Sequence, residues 1–412
     1  MFVCSTSLHA EPVTAISYVG NKVTKDYIIR QELGFNQGDD VNADELELTR
    51  QSVMDLGLFR SVAIVQQQSG QVIITVKEKS YLLLLPRFSR DSNTDKISPG
   101  LRLTVDNVAG RNQRFSLLYS KKDPENASSG DENNYGFSYS YPKMWGGNYN
   151  LDFSFDFLEA PINFVSTDET LSEYTRNDFD TRILISRWLE KTGPSTGWVL
   201  GGGVRLRKHS YSYESGLEGI IEDDDAISLQ GQIYYTDVHD LLYSRSGVRY
   251  GYLIEQGLEE LGSDYDFNRH LFYYQRYMKL GRPHHNLNVQ ARVGFSDGYD
   301  SNLNEEVYSI GGYGDLRAYN ADDVEGAAFA LLNIEYLRPV FDSDSGRMLL
   351  FADVGNAYAR NSDLDFSGLK VAAGFGMRWK VKSFVRLDLS LEYAYNVDDE
   401  TDKIYFRTSA PF

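Results

Sequence analysis

The stretch from Phe384 to Tyr395 reads Phe-Val-Arg-Leu-Asp-Leu-Ser-Leu-Glu-Tyr-Ala-Tyr, and its apolar and polar side chains alternate. Successive side chains of a β-strand point to opposite faces, so this pattern predicts a strand with one apolar and one polar face. The apolar face comprises Val385, Leu387, Leu389, Leu391, Tyr393 and Tyr395, and the polar face comprises Arg386, Asp388, Ser390 and Glu392. Tilted strands of about 9–11 residues cross a bilayer. We therefore expect a membrane-spanning strand whose apolar side faces lipid.

The same alternation recurs from about Tyr81 to the end of the chain. In Leu287–Phe295 and Val371–Trp379 the apolar side chains are predicted to face lipid, whereas Arg292 and Arg378 face inward. The fold class that this pattern predicts is an all-β transmembrane barrel of about sixteen antiparallel strands, an even number as in closed bacterial barrels. The strands are expected to begin near Tyr81, Gly100, Gln113, Asn134, Asn148, Asp178, Trp198, Ala226, Gly247, Asp266, His285, Gly326, Leu349, Lys370, Phe384 and Ile404.

The connections between these strands are predicted to be alternately long and short. Long loops of outer-membrane barrels face outside and short turns face the periplasm. If a small domain precedes the barrel on the periplasmic side, the first strand runs from the periplasm to the outside. The first connection must then be an outer loop, and the predicted alternation of long and short connections agrees with this. The long loops are expected at Lys122–Asn133, Leu158–Asn177, Tyr211–Asp225, Asp297–Glu325 and Ala359–Leu369.

The composition supports a barrel and excludes other classes. Tyr 29 and Phe 22 far exceed Trp 4 among the 412 residues, and tyrosine suits a membrane interface because its ring is apolar and its hydroxyl stays wet. No apolar run approaches the roughly 20 residues of a transmembrane helix. The net charge of −18 argues against nucleic acid as a partner. The single cysteine, Cys4, excludes an internal disulfide.

Residues 1–11 are predicted to be a signal-peptide remnant or a disordered start. Leu8-His9-Ala10 resembles the end of a signal peptide, but the preceding residues lack a charged segment and a long apolar segment. Either the true start lies upstream or the chain is exported in another way, and we favour a missing start.

Residues 12–79 are predicted to form a small α+β domain with the order β-α-α-β-β, followed by the barrel over residues 80–412. Thr24 is expected to cap a short helix over Lys25–Leu33, and Asn42 and Glu45 have the spacing of a capping box for a second helix. This order alone also fits a small domain without a special role. The three strands are expected over Val13–Val19, Arg60–Gln67 and Gln71–Lys77.

A more specific resemblance rests on Ile16…Val19-Gly20-Asn21 and on Leu56-Gly57-Leu58-Phe59-Arg60-Ser61-Val62. These segments resemble a POTRA domain, the periplasmic module of the BamA/TamA outer-membrane assembly superfamily. The resemblance, which covers essentially everything after residue 11, implies that this domain binds client or partner chains by adding a strand to an exposed sheet edge. Unpaired N–H and C=O groups make such an edge a template. An edge such as Ser61–Gln67 is the expected place.

A second resemblance lies in the longest connection, which contains Ile310-Gly311-Gly312-Tyr313-Gly314-Asp315-Leu316-Arg317-Ala318-Tyr319. This segment resembles the superfamily's sixth-loop signature, Gly-Gly followed by V-R-G-F/Y. The segment Phe351-Ala352-Asp353-Val354-Gly355 resembles its barrel-wall motif F-x-D-x-G. The resemblance implies that the loop folds into the lumen and that Arg317 meets Asp353, which the alternation also places inward. The alternative is a surface loop in which Gly311-Gly312 only forms a turn.

Ala318 departs from the signature, because the superfamily has glycine at that place. If the backbone there needs a positive φ, alanine is strained.

The first and last strands must pair to close the barrel, and each carries a proline. Pro86 and Pro411 cannot donate to a strand ladder, which predicts a weak seam. In the superfamily this seam is proposed to open laterally. The alternative is that each proline lies at a strand end, where it has no effect. The terminal Phe412 resembles the aromatic signal by which outer-membrane barrels are recognised for insertion.

No catalytic, metal or cofactor site is predicted. The six histidines lack metal-ligand spacing, and His209 near Ser210 is a poor candidate for a hydrolase. Acidic runs such as Asp223-Asp224-Asp225 are interpreted as solvated loop charge rather than as Ca²⁺ ligands.

The sequence thus predicts a non-enzymatic protein of the Gram-negative outer membrane with its POTRA-like domain in the periplasm. The leading function is assembly of other proteins into that membrane, or their translocation across it, by strand templating at the seam. The expected partners are client proteins, the bilayer with its lipopolysaccharide and, optionally, a periplasmic or inner-membrane accessory protein. A two-partner-type secretion pore and a passive channel or receptor are the alternatives.

Overall fold

The computed structural model describes residues 12–90, 97–122, 131–166, 169–193, 195–297, 306–320, 324–340 and 343–408. Residues 1–11, Pro411 and Phe412 lie outside these ranges. None of the helices in the described ranges has the length and apolar character needed to cross a membrane.

The first domain has the predicted order β-α-α-β-β. Its strands are β1 (Ala15–Val19), β2 (Phe59–Gln66) and β3 (Gln71–Glu78), and its helices are α1 (Asp26–Arg30) and α2 (Ala43–Asp55). β3 lies in the centre of the sheet, parallel to β1 and antiparallel to β2, so β1 and β2 are the edges. The helices cover one face of this sheet, where Ile29, Val53 and Ile74 are buried. The capping box of Asn42 and Glu45 is present at the start of α2.

The predicted cap of the first helix is wrong. α1 covers only Asp26–Arg30, and its N-cap residue, Lys25, makes no side-chain cap. The Thr24 hydroxyl instead donates to a carboxylate oxygen of Glu78 at 2.6 Å, and that carboxylate also accepts from the backbone N–H groups of Thr24 and Val23. The carboxylate at the end of β3 therefore competes for the hydroxyl that the sequence pattern assigned to the helix.

The barrel is one antiparallel sheet of sixteen strands, with β4 and β21 at the two ends of the strand order. A separate sheet of two short strands, β15 (Tyr308–Ser309) and β16 (Glu325–Gly326), lies in the longest connection, between β14 and β17. The sixteen strands are β4 (Leu82–Arg90), β5 (Ile97–Val108), β6 (Gln113–Lys122), β7 (Glu132–Lys143), β8 (Tyr149–Ser166), β9 (Glu169–Gly193), β10 (Thr196–Gly216), β11 (Asp224–Asp240), β12 (Arg245–Gly257), β13 (Phe267–Lys279), β14 (Asn286–Asp297), β17 (Ala328–Val340), β18 (Ser343–Tyr358), β19 (Lys370–Lys380), β20 (Asp388–Asn396) and β21 (Asp402–Arg407).

The barrel has an apolar outer surface and a polar interior, as the alternation predicts. Large apolar side chains such as Leu84, Phe375 and Phe406 are exposed on the outer face. Polar residues at inward-facing positions, such as Gln290 and Arg378, are buried. An exposed apolar band of this kind suits lipid, not water.

Two of the predicted long loops are wrong. β8 and β9 continue through most of Leu158–Asn177, with residues 167–168 between them, and β10 runs to Gly216 inside the predicted loop Tyr211–Asp225. The outer ends of these strands alternate less in polarity than their remaining parts. Backbone pairing alone continues the ladder there, and a polarity pattern does not reveal it.

The strand predicted over Phe384–Tyr395 is also shorter in the structure than expected. β20 begins at Asp388, and Val381–Leu387 forms a turn in which Arg386 has φ +54°. Val385 and Leu387 are buried, and Val385 belongs to the core of the first domain. The apolar character of Val385 therefore reflects packing against the first domain, and Leu387 is buried and does not face lipid.

The first domain is docked on the short turns at one end of the barrel. The Lys25 N–H donates to the carbonyl of Gly110, which follows β5, and Lys143 at the end of β7 forms an ion pair with Glu32. Asp55 accepts from the Asp240 N–H at 2.8 Å, at the end of β11. The docked domain consequently lies at the mouth of the lumen on the side of the short turns.

Glu32 gives this docking a pH dependence. The carboxylate is fully buried and one of its oxygens has no hydrogen-bond partner among the described residues, so burial raises the pKa of Glu32 although Lys143 and Lys191 oppose the shift. An acid whose pKa is raised by docking stabilises the docked state when it is protonated. The stabilisation is complete at pH values below the ordinary pKa of 4.5, and it is lost as the pH rises through the raised pKa.

We therefore expect Glu32→Gln to flatten the pH dependence of docking. Hydrogen exchange of the α1 amides, corrected for intrinsic rates, measures it at about pH 5 and about pH 7.5. Relative to Glu32→Gln, the native protein should lose protection at the higher pH. Glu47→Gln on the exposed face of α2 is the control and should retain the native difference. Identical pH profiles for Glu32→Gln and the native protein would contradict the assignment.

Candidate functional site

The longest connection folds into the barrel, and its described segment Glu306–Asn320 is called the lumen loop here. Backbone hydrogen bonds from Leu316 N–H to Ile310 O and from Gly312 N–H to Leu316 O make it a compact turn. Ile310 and Leu316 are buried against the inner wall in a cluster that includes Phe329. The chain can reverse this tightly because Gly312 and Gly314 both have φ +95°.

Arg317 is fully buried at the centre of the lumen loop and binds Asp353 on β18. Its Nε and Nη2 donate to the two Asp353 carboxylate oxygens, each at 2.7 Å, and its own backbone N–H donates to Asp353 at 3.2 Å. This is the bidentate geometry in which a guanidinium binds a carboxylate most strongly. The structure thus brings together the two residues that the loop and wall motifs single out.

Arg317 also reaches two further carboxylates. Its Nη1 donates to Glu335 on β17 at 3.0 Å and to Glu392 on β20 at 3.1 Å. Arg378 on β19 donates to the same two glutamates at 3.0–3.1 Å. The buried cluster therefore holds two guanidinium groups and three carboxylates, and the wall residues come from four adjacent strands.

Two glycines and an aromatic ring shape this cluster. The Arg317 guanidinium carbon lies 3.5 Å from the centre of the Phe351 ring. A Cβ on Gly374 would lie 2.4 Å from that ring, and a Cβ on Gly355 would lie 2.6 Å from the carbonyl of Ala330 on the neighbouring strand. The spacing of Phe351, Asp353 and Gly355 therefore places a stacking ring, a carboxylate and a close strand contact along one inward face.

The remaining predicted loop residues lie around the arginine. Gly311 forms a bridge with Leu316. The Tyr319 hydroxyl donates to Asp398 in the connection after β20, which ties the loop to the outer end of that hairpin. Ala318 donates its N–H to the Tyr405 hydroxyl on β21 at 3.1 Å, so the lumen loop also contacts the last strand.

Ala318 adopts φ +75°, the left-handed region in which alanine is strained. We expect Ala318→Gly to stabilise the barrel by up to about 1 kcal/mol, since left-handed alanine costs about 1–2 kcal/mol and the freer unfolded glycine offsets part of the gain. Urea unfolding in detergent measures the difference. Gly312→Ala, at φ +95°, is the matched control and should have the opposite sign. A destabilised Ala318→Gly variant would show that the strain is absent.

Glu335, Glu392 and Asn333 were not singled out from the sequence, although each lies on an inward-facing position. Asn333 donates to Asp353 at 2.9 Å and to the Asp315 carbonyl at 2.7 Å. The alternation already placed Glu392 and Arg378 inside the barrel. It gave no indication of the height at which each side chain meets the loop, because that depends on strand register.

The other end of the lumen loop, at Glu306, is held on the opposite wall of the barrel. The buried Glu306 accepts from Arg207 on β10 and from the Tyr265 hydroxyl at 3.1 Å, and Arg269 on β13 lies 3.8 Å away. The loop therefore spans the lumen, with an arginine bound to an acidic wall at one end and a glutamate bound to a basic wall at the other.

The two ends of the sheet differ from its interior. In the described part of the chain, no strand ladder joins β4 to β21. The Asp106 N–H donates to the Tyr81 carbonyl, and the residues that bond to a given neighbour alternate along an antiparallel strand. Pro86 therefore directs its nitrogen away from β5, toward the side on which no ladder is present in the described residues. The proline thus removes a donor from the seam and leaves the β4–β5 ladder intact.

Comparison with known proteins agrees with this architecture. Residues 107–412 match the Omp85 superfamily domain, and residues 12–79 match the surface antigen variable number repeat, a POTRA family. No curated protein sequence matches the chain.

Three solved structures share the fold at low sequence identity. CdiB from Escherichia coli is 14% identical with a TM-score of 0.67, and the match covers 97% of this chain and 76% of that one. CdiB from Acinetobacter baumannii is 14% identical with a TM-score of 0.63, covering 96% and 73%. BamA from Haemophilus ducreyi lacking POTRA domains 1–3 is 16% identical with a TM-score of 0.52, covering 96% and 83%. Since the Omp85 match spans most of its length, this chain belongs to the Omp85 superfamily and carries a POTRA domain in front of its barrel.

Proposed function

We propose that this protein inserts other proteins into the outer membrane, or translocates them across it, by pairing with their strands at the seam between β4 and β21. Superfamily membership and the shared fold with BamA and CdiB support insertion or translocation. The observation that carries the mechanism is the pair of sheet ends that no ladder joins in the described residues. A strand edge that no ladder occupies is a template for another strand.

The seam is also weaker than the other strand contacts for a local reason. Pro86 supplies no N–H at the edge, so a strand that pairs with β4 forms fewer hydrogen bonds there than along an ordinary ladder. Separation of such an edge costs less than separation of any interior pair. The role needs no chemical catalysis, because the free energy of strand pairing in the client is the driving force.

The POTRA domain offers a second edge for a partner. β2 lies at the edge of the three-stranded sheet, and its outward side chains Ser61, Ala63 and Val65 are exposed and uncharged. A client or an accessory protein that adds a strand there would meet no charged side chain of β2 on that face, although Lys77 of β3 is exposed beside Ser61. The domain lies on the side of the short turns, which corresponds to the periplasm in a Gram-negative outer membrane, and the apolar band contacts lipid with lipopolysaccharide around the outer rim.

Depletion of the protein from the living cell tests the proposal. Loss of several barrel proteins from the outer membrane is the result expected for an assembly factor, and accumulation of their unfolded forms in the periplasm should accompany it. Loss of one secreted protein, with barrel proteins unchanged, would instead assign a two-partner-type secretion pore. Altered passage of small solutes alone would assign a passive channel and overturn the proposal.

A further inference from the structure

The lumen has a basic floor at its periplasmic end, which the lumen-loop cluster does not use. Inward-facing cationic side chains meet there from the linker, from four strands and from the turn before β20. They are Lys79, Arg114, Arg245, Arg347, Lys380 and Arg386. This set is called the basic floor.

Carboxylates offset only half of this charge. Asp106 lies 3.4 Å from Arg114, and Asp240 lies 3.8 Å from Lys380. Asp388 is the third carboxylate in the group. Among the described residues, six cations and three carboxylates leave an excess of three positive charges. The neighbouring lumen-loop cluster has three carboxylates against two guanidinium groups, and its one surplus negative charge lowers this excess to two.

Among the residues of the basic floor, Arg347 has the least compensation for its positive charge. Its side chain is only 6% exposed, and its Nε is buried without a hydrogen-bond partner among the described residues. The carboxylate of Glu335 is close, but Arg317 and Arg378 already bind it. The cross-strand neighbour of Arg347 is Arg378, another cation. A buried guanidinium in this position is costly unless an anion accompanies it.

Lys79, in the linker to the POTRA domain, shows the same excess. Burial lowers the pKa of its ammonium to about 8, with Asp240 opposing the shift and Lys380 and Arg386 adding to it. Its Nζ donates to the Gly57 carbonyl at 2.8 Å, so it is held in place from the POTRA side. Arg245 and Arg386, in contrast, remain accessible to solvent inside the lumen. An ion in the lumen can therefore reach the floor.

We propose that the basic floor binds a small oxyanion of the phosphate type. Lysine and arginine side chains offer only donors, and the arginine fork matches the oxygens of a tetrahedral oxyanion. Bound there, the anion neutralises the surplus charge between the lumen wall and the linker to the POTRA domain. This site is separate from the strand-templating role, and neither depends on the other.

Titration of the purified full-length protein in detergent, without lipid, with inorganic phosphate at constant ionic strength tests this site. Calorimetry should show saturable binding by the native protein. Arg347→Met should lower the association constant by about tenfold or more, because charge-assisted hydrogen bonds contribute about 1.5–3 kcal/mol. Arg276→Met is the control, since Arg276 lies on the exposed outer face near the periplasmic end of β13, and it should bind phosphate as the native protein does.

The outcomes separate the floor from other sources of binding. Absence of saturable binding by the native protein, or equal binding by Arg347→Met, overturns the proposal. Equal weakening by Arg276→Met would assign the phosphate to a surface site of the kind that lipid headgroups occupy, and would also overturn it. If Arg347→Met does not fold into a heat-modifiable barrel, Arg386→Gln in the turn before β20 replaces it, with the same expected loss.

Discussion

Arg317→Ala should destabilise the barrel by about 3–5 kcal/mol, the range found when one partner of a buried ion pair is removed. The substitution leaves Asp353, Glu335 and Glu392 buried with a single guanidinium, that of Arg378. It also removes the contact that fixes the lumen loop to β18. Urea unfolding in detergent, followed by the heat-modifiable mobility of the barrel, measures the loss.

Matched variants separate the buried cluster from general effects of charge removal. Asp223→Ala removes an exposed loop carboxylate that accepts one backbone N–H, and should change stability by less than about 0.5 kcal/mol. Arg317→Lys should fall between the native protein and Arg317→Ala, since an ammonium cannot reproduce the bidentate fork. The double variant with Asp353→Ala should cost less than the sum of the two single changes. Equal losses for Arg317→Ala and Asp223→Ala would count against the cluster.

A disulfide between Ser80→Cys and Phe384→Cys should abolish insertion of client barrels while it is oxidised. Ser80 donates its N–H to Ser383 O at 2.6 Å and accepts from the Val385 N–H at 3.4 Å, so the turn before β20 crosses beneath the last strand and holds the start of β4. Bridged strands lie about 4.8 Å apart, within the roughly 4.4–6.8 Å that a disulfide spans. If β4 must leave this turn for the seam to open, the cross-link prevents it.

Insertion of a purified barrel client into lipid vesicles, before and after reduction, measures this effect. Cys4→Ser is included in every variant, because Cys4 is the single cysteine of the chain. The control cross-link is Tyr274→Cys with Ala291→Cys, which are register partners in β13 and β14 far from the seam, and it should leave activity intact. Activity that is unchanged by oxidation of the Ser80–Phe384 pair would show that this end of the seam stays closed during function.

Much of the fold was predictable because the surroundings of a barrel impose a period of two on the sequence. Lipid outside and polar groups inside require opposite side chains on the two faces, so strands such as β14 and β19 were found with correct faces. The errors fall where that requirement ends. The outer parts of β8, β9 and β10 continue as paired strands although their side chains alternate less in polarity, and Val385 is apolar because it packs into the core of the POTRA domain.

The candidate site was predictable only in part. Arg317 and Asp353 stood out through resemblance to known motifs, and their contact is present in the structure. Glu335 and Arg378 complete the same cluster without any motif of their own. The inward direction of Arg378 followed from alternation, whereas Glu335 was not assigned a direction, and the meeting of both with the loop depends on the relative shift of β17, β18 and β19.

The sequence by itself determined that this chain forms a membrane barrel behind a small α+β domain, because side-chain alternation and the capping box of α2 are local and are set by a few neighbouring residues. Only the tertiary structure decided which buried charges meet, how the POTRA domain docks at the mouth of the lumen and where positive charge is left in excess. The partners of Arg317 come from positions 18, 36 and 75 residues away. Contacts over such separations follow from strand register and barrel curvature, which no local pattern encodes.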